Sequence, residues 1–158
     1  MINNIKKIAY LLIIGLSFLA FWGCKKIAAG SYPYAQYYHF ELPKDELLSR
    51  IHDFKKQYPQ YSVSDSIYKE YRREHWHWVY FYNPLKNYIY HCRARSESGT
   101  SGSSFAWIAY SKNGESRGEY TDVNDGLDKE IQKEAQKYLE TEILPKLGEC
   151  KREKTFLF

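Results

Sequence analysis

Three histidines raise the first question about chemistry. His75 and His77 stand two apart, so on a strand both point to one face. His91 falls diagonally across from His77 if the runs 74–82 and 88–95 pair as a hairpin. Three imidazoles on one wet face are a ligand set for Zn or Cu. Arg93 and Arg95 share that face and would repel a cation. Glu74 and Glu97 are close in sequence, but neither clearly completes a shell. The competing reading is a solvated polar face whose histidines gain charge below about pH 6.5.

Other residue types offer less. Cys92 and Cys150 are 58 residues apart and could form one disulfide in an oxidising compartment. Such a bridge is worth roughly 4 kcal/mol in the chain-entropy picture. The alternative is two unrelated buried thiols. Four Trp and 16 Tyr invite a sugar- or peptide-binding reading, because flat rings stack and Tyr has a polar tip. Alternation explains most of these rings as core, and Phe81, Tyr37 and Tyr68 are the ones expected to be exposed. Ser98 to Ser104 has the composition of an anion-holding nest but lacks the lysine and spacing of a phosphate loop. A flexible connection accounts for it. No nucleophile elbow, HExxH helix or CxxC pair occurs, and Asp122, Asp125 and Asp128 suit cap and turn duty. The chain is not expected to be an enzyme, and no cofactor is implied.

These residues need elements to hold them. Tyr38, Phe40 and Leu42 alternate with Tyr37, His39 and Glu41, which reads as a strand over 34–42. Pro43 suits a helix start, Asp45 and Glu46 the first turn, Lys55 and Lys56 the last. Leu47, Ile51, Phe54 and Tyr58 form its apolar stripe, and Pro59 stops it. Residues 60–73 read mostly as loop. The strands 74–82 and 88–95 are joined by Asn83-Pro84-Leu85-Lys86-Asn87. With Tyr82 opposite Tyr88, the inward set is Trp76, Trp78, Tyr80, Tyr82, Tyr88, Tyr90, Cys92 and Ala94. A slip of one residue would exchange the faces.

Phe105 to Ser111 is apolar on both sides and should be a central strand. Asn113-Gly114 then turns the chain into a polar edge strand over 115–123. Asp125 is the expected cap of a second helix with Leu127, Ile131, Ala135, Tyr138, Leu139 and Ile143 on one face. Pro145 should end or kink it, and 146–158 reads as a tail. The order is β-α-β-β-β-β-α. It predicts an α+β domain: an antiparallel sheet of about five strands, in two hairpins, packed against two amphipathic helices.

The first 24 residues say where such a domain would work. Met1 to Lys7 is short and basic, Ile8 to Trp22 is an uncharged run of 15 residues, and Gly23-Cys24 precedes Lys25-Lys26. With Gly23 and Cys24 at the matching positions, this segment resembles the signal of the bacterial lipoproteins. The resemblance covers residues 1–24 only. It implies cleavage before Cys24, lipid on that cysteine, and a tether over 24–33 leading to a single domain over 34–158. Phe21 and Trp22 stand where that family prefers leucine and a small residue, so an uncleaved anchor helix is the alternative. Either way the partners expected are a membrane and a protein of the cell envelope, on the periplasmic side. Nucleic acid is not expected, because beyond residue 23 the chain holds 21 basic against 19 acidic residues.

Overall fold

A computed structural model describes residues 32, 34–70, 72–73, 75–112 and 119–153. The chain divides into two units, Met1–Pro33 and Tyr34–Phe158. Cys24, the signal segment, the Asn113-Gly114 turn and the last five residues lie outside the described residues.

The second unit is α+β. β1 (Gln36–Phe40) leads into α1 (Lys44–Gln57) and a short turn of tighter helix, Pro59–Tyr61. β2 (Arg72–Arg73), β3 (Trp76–Asn83), β4 (Tyr88–Ser96), β5 (Ser103–Lys112) and β6 (Thr121–Asp122) follow. α2 (Lys129–Tyr138) passes through a π-helical segment, Leu139–Ile143, into α3 (Leu144–Leu147). β7 (Cys150–Arg152) closes the chain. The sheet is antiparallel in every pairing, in the order β2-β3-β4-β5-β1-β7, with β6 also on β5.

Helix α1 forms where its stripe requires it, and buries Leu47, Ile51 and Phe54. Its acids lie in the first turn and Lys55 and Lys56 in the last, as the helix dipole favours. The second helix is capped by Asp128 rather than Asp125. The Asp128 carboxylate accepts from the Glu130 and Ile131 amides, two donors that have no partner inside the helix. Asp125 stays in the preceding turn, between Asn124 (φ 63°) and Gly126 (φ 87°). Pro145 has no N–H and its ring would crowd the carbonyl four residues back. The wider π turn before it relieves that conflict: the Leu144 amide reaches back five residues to the Leu139 carbonyl. Leu139, Ile143, Leu144 and Leu147 are all buried as a result.

Both helical segments cover one face of the sheet. There Tyr38 and Phe40, Val79 and Phe81, Tyr90, Cys92 and Ala94, and Phe105 and Trp107 meet Leu47, Ile51 and Phe54 from α1 and Ala135, Leu139 and Ile143 from the second helix. β5 is central and buried along most of its length, as its two apolar sides predict. A bulge at Ile108 shifts its register against β4 between His91 and Cys92. β1 and β6 pair with β5 on either side of that bulge.

The β3–β4 hairpin differs from the expected register by one residue. Asn83 pairs with Tyr88, Phe81 with Tyr90, and Val79 with Cys92. The inward residues of β4 are as expected, but those of β3 are exchanged. Val79 and Phe81 enter the core, while Trp76, Trp78, Tyr80 and Tyr82 turn to the other face. The Asn83 side chain fixes this. Its Oδ1 accepts from the Leu85 and Lys86 amides, and its Nδ2 donates to the buried Tyr90 hydroxyl. Asn87, at φ 58°, completes the four-residue turn.

Candidate functional site

An open groove of about 1060 Å³ lies where β1 and β7 meet the π segment and α3. Tyr38, His39 and Glu41 line it from β1 and beyond, Glu140 and Leu144 from the second helix, and Cys150, Lys151 and Arg152 from β7. The π turn aims Glu140 at the sheet edge. Its Oε1 accepts from the Tyr38 hydroxyl at 3.0 Å, from Gln136 Nε2 at 2.9 Å and from Arg152 Nη1 at 3.3 Å. Burial, then the charge and hydrogen bond of Glu140, push the Tyr38 hydroxyl far above its ordinary value.

Most of the groove's charges are matched in pairs. Lys151 Nζ lies 2.6 Å from Glu41 Oε1, and Arg50 Nη2 lies 2.6 Å from Glu46 Oε1. His39 stands between two carboxylates, with Nδ1 at 2.5 Å from Glu97 and Nε2 at 3.3 Å from Glu153. Cys150 is half-buried, and burial followed by the Glu140 charge raises its thiol. A raised thiol is a poor nucleophile. The groove therefore offers paired charges, a tyrosine and a strand edge, which suit contact with a polar surface better than activation of a reacting atom.

The histidines do not converge. His91 is on the face away from the helices, 4% exposed, with Nε2 2.9 Å from Ser111 Oγ. Burial depresses it to about 4, so it is neutral at pH 7. His77 pairs with Ala94 and falls on the opposite face, and His75 is an exposed turn residue. Among the described residues no three His, Cys, Asp or Glu side chains could hold a metal ion. The expected metal set fails because the register moved His77 to the other side of the sheet from His91.

Cys92 and Cys150 are both free. β4 and β7 are three strands apart, roughly 14 Å across the sheet, while a disulfide needs Cα atoms within about 7 Å. The disulfide expectation is thus replaced by two separate thiols. Cys92 is fully buried.

Of the three rings expected to be exposed, Phe81 is 0% exposed and part of the core, a direct consequence of the register. Tyr37 and Tyr68 are half-buried and belong to the face that the helices leave. That face is built from flat groups lying on one another. Tyr68 stacks on Tyr80 at 4.8 Å, Arg93 lies 3.3 Å over the Trp78 ring, and Arg95 lies 4.5 Å over Trp76. Tyr68 and Tyr80 wall a second hollow of about 470 Å³, rimmed by Lys55, Lys56 and Lys69.

Sequence reasoning missed the groove, because it read 146–158 as a tail and did not foresee β7. It also missed the approach of Glu97 and Glu153 to His39. No local signal announces either; the only one was His39 on the wet side of the first strand. No family model, curated protein or solved structure matches the chain. Among the described residues no helix is long and apolar enough to cross a membrane.

Proposed function

We propose that the chain is an envelope lipoprotein, tethered through lipid on Cys24, whose folded unit binds another protein as an accessory part of an envelope assembly. It is not an enzyme in this reading. The anchoring half rests on the order of basic, apolar, Gly23-Cys24 and basic residues. The binding half rests on one observation: the broad groove beside β7 carries paired charges and no activated nucleophile among its described lining residues. Charge pairs at a rim favour specificity and register over raw affinity.

A second reading is a small sugar- or peptide-binding domain. The stacked Tyr68 and Tyr80 beside the 470 Å³ hollow favour it. One experiment separates the two. The anchored protein is used as bait in solubilised envelopes, beside Lys151→Glu/Arg152→Glu and Tyr68→Ala baits of equal stability. The first reading expects a specific protein that the wild type captures, that the charge-reversed bait loses, and that Tyr68→Ala keeps. Loss with Tyr68→Ala alone moves the contact to the hollow. Capture of nothing by the wild type contradicts the protein-binding reading.

A further inference from the structure

Glu97 and Glu153 reach His39 from two distant parts of the chain. Glu97 follows β4 and opens the Ser/Gly loop. Its own amide donates to the Gly102 carbonyl, and the Thr100 hydroxyl donates to its carboxylate. Glu153 follows β7. Its amide donates to the Tyr37 carbonyl at 2.9 Å, and its carbonyl accepts from Gln36 Nε2 at 2.9 Å. Both carboxylates end on one imidazole ring, one at each nitrogen.

We infer that His39 is a proton-controlled clasp for the C-terminal strand, gripping β7 when the ring is charged and loosening it when the ring is neutral. The reason is the donor count. Imidazolium has two N–H groups and can donate to both carboxylates, whereas the neutral ring has one N–H and one lone pair. The proton stays where the contact is shorter, at Nδ1 toward Glu97 (2.5 Å against 3.3 Å). Nε2 then presents a lone pair to the Glu153 carboxylate. The loosening is directed at β7 and not at the loop.

β7 is suited to respond. It is three residues long and pairs only with β1 among the described residues. It is entered through Gly148, at φ 136°, a conformation other residues rarely adopt. Its other ties are Lys151 to Glu41 and Arg152 to Glu140. Lys151 is raised and Glu41 lowered by their mutual hydrogen bond and charge, so that pair stays ionised near neutral pH.

The charged surroundings of His39 are mixed. Lys151 faces it across the β1–β7 pair, Ser104 faces it from β5, and Arg95 of β4 lies beyond Ser104. Tyr37 on β1 and Glu41 just beyond its end flank it. Burial opposes the charged ring, but the hydrogen bond and charge of Glu97, then those of Glu153, outweigh it, and the net shift is upward from 6.5. A raised base adds stability that is fully present below its unfolded value and is lost as pH rises through its folded value. The clasp is therefore closed below about pH 6.5 and opens above it.

Hydrogen exchange of the full-length protein tests this between pH 6 and 8.5, with rates corrected for the intrinsic effect of pH. Protection of amides 150–153 should fall by about two- to five-fold, the scale of an exposed ion pair. The midpoint should coincide with the His39 titration followed by NMR, and β4 amides should not change. Glu153→Gln, whose amide can donate to neutral Nε2, should abolish the transition and leave 150–153 equally protected throughout. A flat wild-type profile, the same transition in Glu153→Gln, or a His39 titration at or below the ordinary value would overturn the inference. The test reads only this chain, so it is independent of what the groove binds.

Discussion

His91 and His39 carry opposite pH signs, and the cause is visible at each ring. His91 has no carboxylate partner among the described residues and sits under Tyr68 and beside Tyr80, so burial depresses it to about 4. Its unfolded form binds more protons than its folded form between pH 6.5 and 4. Stability should therefore fall by up to about 3 kcal/mol as pH drops across that window. Urea unfolding at a series of pH values measures this, and His91→Gln should flatten the acid limb; an unchanged limb would show that other groups carry it. The role of His91 was not legible in sequence. Its residue type suggested a ligand, but its environment depends on Tyr68, which approaches from a segment read as loop, and on Ser111 across the β4–β5 pair. Conversely Tyr38 and Phe40 were legible as core, because strict alternation leaves one side of β1 polar and the other apolar.

Elements with one apolar stripe were readable in full, whereas a strand apolar on both sides was readable as a buried element, as β5 was, but not in its register. α1 has a single stripe, a proline start and complementary charges at its ends, and it forms over Lys44–Gln57. β3 is apolar on both sides, with Trp78 and Tyr80 on one and Val79 and Phe81 on the other, so hydrophobic pattern could not choose its register. The Asn83 side chain makes that choice through three hydrogen bonds. Asn83→Ala should cost about 2–3 kcal/mol in a denaturant melt, because it removes three hydrogen bonds, two accepted from the turn amides and one donated to the Tyr90 hydroxyl, which keeps its own bond to the Ala135 carbonyl. A cost within about 0.5 kcal/mol, the usual surface value, would mean that the register is set elsewhere. β7 was illegible for another reason. Cys150, Lys151 and Arg152 have no strand pattern of their own, and they pair because the second helix delivers them to the edge of β1.

At the scale of the whole molecule, the sheet has one face covered by helices and one covered by its own aromatic and arginine side chains. The β7 edge and its groove form a broad concave surface beside that arrangement. Lys151 and Arg152 at that edge also discourage unwanted strand pairing. The envelope partner, the periplasmic side and the accessory role all depend on the proposed lipidation of Cys24. Metabolic labelling with a fatty-acid analogue tests it most directly. The wild type should carry the label and Cys24→Ser should not. Label on both proteins, or on neither, would contradict lipidation at Cys24.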